Sequence, residues 1–455
     1  MLIGAKKIDA TKGALIPLIV TFVFPLILTT LIQQLFNAVD IAVLGNMANE
    51  TAVASVGATT TIIHLIVDAF VGISSGAKIV LSRLFGKQAD TELKRTIDTA
   101  LIVAIIFGIF VAVIGFFIAP LFLELTKCPP ECLGGAIIYI RIYVSAAPAI
   151  LLYNYGAAVL TSSGDSHRPL YYAICSGFLN VLLNILLCCI LTEKVAAVAI
   201  ATAASQVSAA TLVILRLRRL DGTLKVRLTK MRFNLHAFSQ LMRFGIPLSL
   251  QTLVYPLANI QISAAINSYG VVCVAGNSAA NTMHQLTASA RTAFGTATAT
   301  FMGQNLGAEK PDRVRTSLLH CTWMCLAFCL PLAFFEWLLG PLWLKIFLGS
   351  EATASMDYAM IRVVILNTAA FFLMMNTILG NAIQAFGYPI FSTINAVTWV
   401  LGFRFFWMDQ IYPRYTSYAS LITCFAVSWV LTFICNTVIF AVIYHRYRKG
   451  KYKRI

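Results

Sequence analysis

Apolar residues in this chain come in long runs separated by short polar loops. Twelve runs reach the roughly 20 residues that a helix needs to cross a bilayer. They cover about 14–45, 52–82, 97–123, 134–160, 169–191, 195–215, 237–267, 272–302, 316–347, 355–384, 389–408 and 417–444. A backbone in lipid has no water to bond, so a helix that satisfies its own amides is the predicted form of each run. The first two runs are long and less purely apolar, which suggests that they line something other than lipid.

Composition narrows the class. Of 455 residues, 59% are hydrophobic and 11% charged, with a mean hydropathy of +0.82. A soluble surface takes about 25% charged residues. This chain cannot cover one, and the same imbalance excludes disorder, a coiled coil and a secreted disulfide scaffold. The formal charge of +16 sits in short loops beside apolar runs, so topology explains it rather than nucleic acid. Met1–Lys12 is short and polar and the first run outlasts a signal-peptide core, so no cleavable signal is expected.

Lys and Arg set orientation. One side of the predicted topology carries 25 of them, among them Lys6, Lys7, Lys12, Arg83, Lys87, Arg168, the loop from Arg216 to Arg232, Lys310, Arg313, Arg315 and the tail from Arg446 to Arg454. The other side carries four: Lys127, Lys194, Lys345 and Arg414. Both termini of this multi-pass protein are therefore predicted to be cytoplasmic.

The longest polar loop follows the sixth run. The predicted organisation is an N-terminal six-helix lobe at 1–215, a cytoplasmic linker at 216–236 and a C-terminal six-helix lobe with a basic tail at 237–455. The halves echo each other. Pro25-Leu26 and Asn37 match Pro247-Leu248 and Asn259 at an offset of 222. Ser82–Gly86 matches Gly303–Gly307 at 221. The fold expected is an all-α integral membrane protein, twelve transmembrane helices in two six-helix lobes related by a pseudo-twofold axis along the membrane normal. Paired bundles of this kind rock about a site near the midplane, at the junction of the halves.

The chain resembles the multidrug and toxic compound extrusion (MATE) family. The resemblance is carried by Pro25–Gly45, Gly72–Gly86 (GISSGAKIVLSRLFG), Asn180–Asn184 and above all Phe301–Arg315 (FMGQNLGAEKPDRVR), with Phe403–Trp407 and Ser428-Trp429 similar to a bacterial branch. It implies export of amphipathic, often cationic, compounds against entry of protons or sodium, with no cofactor beyond the coupling ion. The implied partners are the small-molecule substrate and the bilayer, with the chain working as a monomer.

Ionisable groups buried in lipid are costly, so each is a candidate. Asp40 lies deep in the first run, and Gln33, Asn37 and Asp40 share one helical face. A carboxylate there could load and release a proton, or offer oxygens to sodium; a structural acid bonded inside the bundle is the plainer alternative. Asp40 also matches the family's coupling aspartate. Ser176, Asn180 and Asn184 form a second stripe, read either as packing between small polar groups or as part of the coupling site. The family commonly has Asp where this chain has Asn184, so one acid is missing; Asp68 is the nearest replacement. Thr202 fits the family's hydroxyl position. Asp40, Asn180, Asn184 and Thr202 are thus the candidate cation-coupling residues, and Gln33, Asn37, Asp68, Gln251, Tyr255, Asn259 and Arg404 the candidate cavity residues.

The second half offers the neutral stripe Gln251, Tyr255, Asn259 and the asparagines Asn367, Asn376 and Asn381, but no comparable acid; Glu336 is expected near the outer end of its run, at the membrane surface. This departs from the norfloxacin-exporter branch, which uses acids there, and points to the DNA-damage-inducible branch. Lys78, Arg141, Arg291, Arg362 and Arg404 also fall within runs. Some should reach the membrane surface. Arg404 is placed too deep for that: it could pair with an acid, exclude cations or hold an anion. Cys128 and Cys132 could form a disulfide or stay free, and no metal-ligand spacing is present. The alternatives to an antiporter are a flippase for a lipid-linked precursor and a membrane-embedded lipid-modifying enzyme.

Overall fold

The computed structural model describes residues 8–48, 50–125, 128–348 and 353–450. Lys6, Lys7, Lys127 and the tail residues 451–455 lie outside the described residues, as does the side chain of Asn37. All regular structure among the described residues is helical.

Every apolar run is a helix or a succession of helices. The first half contains α1 (Leu15–Met47), α2 (Glu50–Lys87), α3 (Asp90–Leu125), α4 (Pro130–Ser145), α5 (Ala147–Ser162), α6 (His167–Ile190) and α7 (Lys194–Arg219). The second contains α8 (Leu235–Ser268), α9 (Val271–Gly307), α10 (Pro311–Leu338), α11 (Gly340–Leu348), α12 (Thr353–Thr368), α13 (Ala370–Ala385), α14 (Pro389–Ala396), α15 (Phe403–Phe406) and α16 (Tyr418–Arg448). Prolines open α4, α10 and α14, where the missing N–H costs nothing. Asn234 and Ser417 cap α8 and α16 by accepting from the Ala237 and Ser420 amides.

Two spans are broken. α4 and α5 meet at 46°, and α12 and α13 at 53°. In the first, Pro148 removes a backbone donor at the bend. In the second, which has no proline, the Thr368 hydroxyl donates back to the Ile365 carbonyl at 2.7 Å, a local bond that competes with the helical ladder. The fourth span of each half is thus bent at corresponding places, by different chemistry. α8 and α9 are 34 and 37 residues long, yet richer in Gln, Asn, Ser and Thr than the other spans.

The chain divides into two compact units. One takes in Phe24–Ser249 with the chain up to Asp9; the other takes in Ala10–Val23 and Leu250–Ile455. The divisions cut α1 just before Pro25 and α8 just after Pro247. The opening turns of each lobe's first span therefore belong to the opposite unit.

Hydrogen bonds explain this exchange. In the second unit, Gln304 Oε1 accepts from the Ala10 amide at 3.0 Å, and Asn305 Nδ2 donates to the Ala10 carbonyl at 3.1 Å. Lys310 donates to the Thr11 carbonyl at 2.8 Å, and Arg313 to those of Gly13 and Ala10. The MGQNLGAEKPDR stretch is thus a clamp on the segment that leads into α1. In the first unit the corresponding region holds the segment before α8: Lys94 donates to the Lys225 carbonyl at 2.7 Å, and the Thr99 hydroxyl accepts from the Asn234 amide at 3.1 Å. Gly72 and Gly76 let α2 approach the start of α8, since a β-carbon at either would lie 2.4 Å from the backbone of Ser249 or Gly245.

Candidate functional site

In the first unit, α1, α4, α6 and α7 bring one polar group together. Asn184 of α6, fully buried, donates through Nδ2 to Asp40 Oδ1 at 2.5 Å and to Asn180 Oδ1 at 3.3 Å. Asn180 donates in turn to the Thr202 hydroxyl at 3.4 Å, and Thr202 donates to the Val198 carbonyl at 2.9 Å. Asp40, Asn180, Asn184 and Thr202 therefore form one connected set. Asn184 Oδ1 is buried with no hydrogen-bond partner among the described residues. A buried acceptor of that kind is uncommon, because it forfeits its bond to water. The group offers a carboxylate, two amide oxygens and a hydroxyl oxygen within a few ångströms.

Tyr139 of α4 completes it. Its side chain is buried, interacts with Thr202 and with the Asp40 charge, and stacks on Tyr143. It stands in an apolar run, where an aromatic residue gives no sign of a polar role. Ser176, expected on the same stripe, bonds its own helix at Ala173 instead. Gln33 is exposed on α1, two turns before Asp40, and Asp68 stands on α2 one turn from His64.

The cavity residues of the second half are drawn into two bonding sets in the second unit. Gln251 accepts from Gln384 Nε2 at 3.1 Å and donates to the Ser392 hydroxyl at 3.1 Å. Asn259 accepts from Arg404 Nη1 at 2.8 Å, and Ser428 accepts from Arg404 Nε and Nη2. Arg404 is 1% exposed. Tyr255 is 38% exposed. A third set, Asn376, Asn395 and Asn436, ties α13, α14 and α16 together. The sequence reading passes over these residues although helical spacing marks them: Ser428, Thr432 and Asn436 recur every four residues in α16, Ser392 and Asn395 are three apart in α14, and Gln384 follows Asn381 by three in α13.

Glu336 faces the interior of its helix bundle: it is 7% exposed and accepts from the Thr287 hydroxyl at 2.5 Å, because the face of α10 that carries it packs on α9. Of the intramembrane cations, Arg362 is also buried, bonding Asn277 and Asn281 of α9, whereas Arg141 turns to the Phe116 carbonyl and ring. Cys128 and Cys132 are free thiols.

Two repeated all-helical lobes, each with polar side chains gathered inside an apolar shell, define a membrane transporter of small molecules. A family model named MatE matches residues 25–186 and again 247–408, the second match 222 residues after the first at both ends. The chain belongs to this MATE family, whose members are transporters rather than enzymes. It is 26% identical to a probable multidrug resistance protein, YoeA, of Bacillus subtilis, over 67% of each chain. It is 27% identical to an FAD transporter of Shewanella oneidensis, over 66% of this chain and 68% of the other. A crystal structure of MATE in complex with MaL6 superposes with a TM-score of 0.89 at 18% identity, covering 98% of this chain and 100% of that one.

Proposed function

We propose that the protein is a secondary active antiporter that exports small amphipathic organic molecules in exchange for protons or sodium, with the Asp40 group as the coupling site. The observation that supports this reading is the orphaned Asn184 Oδ1 beside the Asp40 carboxylate. A cation among Asp40, Asn180, Asn184 and Thr202 would take up that acceptor, and a proton would remove the carboxylate charge. With Asn at 184, the group carries a single acid, so one monovalent charge neutralises it. Loss of a buried charge favours tighter packing of α1, and Pro25 gives α1 a place to bend. The names of relatives, multidrug resistance and FAD transport, both fall within small organic solutes.

Absence of acids from the Gln251–Asn259 stripe supports placement with the DNA-damage-inducible branch. The charge asymmetry of the loops supports cytoplasmic termini and an inner-membrane location. The same reading takes a single chain as the working unit.

The test is transport in proteoliposomes under imposed proton and sodium gradients in turn, following one cationic dye (ethidium) and one anionic dye (fluorescein). The wild type should move a dye against its gradient with one of the two ions. Asp40→Asn should insert normally and lose gradient-driven movement, while Asp68→Asn retains it. Full gradient-driven export by Asp40→Asn together with its loss in Asp68→Asn would move the coupling site to α2.

A further inference from the structure

Three arginines, Arg291 of α9, Arg362 of α12 and Arg404 of α15, lie inside the second unit, and every partner they have is neutral. Arg404 bonds Asn259 and Ser428, Arg362 bonds Asn277 and Asn281, and Arg291 bonds Thr377 at 2.6 Å. No acid lies within ion-pair distance of any of them among the described residues. Glu336, the buried acid of this unit, is engaged by Thr287. The Nε atoms of Arg291 and Arg362 are buried with no hydrogen-bond partner among the described residues. Uncompensated guanidinium groups are expensive in a membrane interior, and they mark solute pathways there.

The three belong to one cluster. The Phe425 ring lies between two of them, 4.3 Å from the Arg404 guanidinium and 5.4 Å from that of Arg362. Trp429 packs against Phe425 at 6.5 Å and stacks on His284 at 6.2 Å. His284 is within electrostatic reach of Arg291 and Arg362, and Tyr255 within reach of Arg291 and Arg404. Arg404 occupies a single α-helical turn flanked by two wider, π-helical stretches, Val397–Gly402 and Trp407–Ile411. Wide turns of this kind are rare and concentrate at functional sites.

We propose that Arg291, Arg362 and Arg404 form a binding site for the carboxylate or phosphate of an organic anion, with Phe425, Trp429 and Tyr255 receiving its apolar body. A guanidinium fork matches either oxyanion with two parallel hydrogen bonds, and each of the three has donors to spare. The anion supplies the countercharge that the protein withholds. An aromatic body suits the site, since the rings offer faces for stacking. This deepens the transport reading above and rests on it only in taking the bound solute to be the cargo.

Binding needs no gradient, so it separates this proposal from the role of Asp40. The intact protein in phosphatidylcholine nanodiscs is titrated against fluorescein (a carboxylate), 4-methylumbelliferyl phosphate and ethidium (a cation), read by polarisation or quenching. At least one anion should bind more tightly than ethidium. Arg404→Gln and Arg362→Gln should each weaken anion binding tenfold or more without weakening ethidium. Arg404→Lys, which keeps the charge but not the fork, should fall between. Arg141→Gln, outside the cluster, should match the wild type. If Arg404→Gln does not fold, as judged by gel filtration and thermal melting, Arg291→Gln carries the comparison. Replacing part of the lipid with phosphatidylglycerol identifies the source of the anion. Competition by that lipid makes a headgroup the occupant; no competition makes it a free solute. Tighter binding of ethidium than of either anion, absence of anion binding, or anion affinities untouched by the Gln substitutions would overturn the proposal.

Discussion

Gly177 of α6 lies so close to Phe36 of α1 that a β-carbon on it would stand 1.8 Å from Phe36 Cε2. Phe36 is one helical turn before Asp40, and Gly177 is one turn before Asn180. The missing side chain is what lets α1 settle against α6 closely enough for Asp40 to meet Asn184.

Gly177→Ala, which adds one carbon, should therefore act on both stability and coupling. Overpacking of a tight contact costs about 1–3 kcal/mol. The melting temperature should fall, and gradient-driven transport should fall further than dye binding. Phe36→Ala in the same chain should restore part of the lost stability, and a double-mutant cycle measures the coupling between the two positions. Purely additive effects would show that the contact is loose.

Asn184→Asp places a second carboxylate against Asp40. Two acids that close titrate as a coupled pair in two macroscopic steps. The folded variant should show a changed pH profile of transport; a profile that overlays the wild type would separate α6 from the coupling step.

Arg313→Ala removes two bonds that hold the segment before α1, to the carbonyls of Ala10 and Gly13. Each such bond contributes about 1 kcal/mol net. The segment should open more often, and limited trypsin digestion should cut after Lys12 faster than in the wild type. Gln304→Ala, which frees the Ala10 amide, should act in the same direction.

Glu336→Gln keeps an acceptor for the Thr287 hydroxyl, whereas Glu336→Leu leaves that hydroxyl buried and unpaired. Leaving a buried donor unsatisfied costs about 1–3 kcal/mol. Thermal melting should rank wild type and Gln together and Leu well below; equal melting of all three would show that the bond contributes nothing.

Topology is checked by labelling whole cells with an impermeant maleimide. Arg414→Cys should label above the wild-type background and Arg227→Cys should not. The reverse pattern would invert the orientation drawn from the loop charges.

The amino-acid string alone establishes the twelve apolar runs, because crossing a bilayer demands about 20 apolar residues whatever their order. It also determined the repeat, visible in Pro25 and Pro247, and the deep carboxylate Asp40, since a charge in an apolar run is conspicuous in a string of letters. Asn180 and Asn184 were legible for a similar reason: a spacing of four puts them on one helical face. What these residues meet emerges from the packing of the helices. Tyr139 joins Asp40 from another span, Gly177 sets the distance between α1 and α6, and the MGQNLGAEKPDR stretch holds a segment some 300 residues away in the chain. Glu336 turned inward, and three arginines spread over 113 positions converged on one aromatic group. Helical periodicity is local and reports only the face that a residue occupies. Which face packs against which neighbour depends on contacts between distant segments, where small residues permit approach and buried polar groups must find partners.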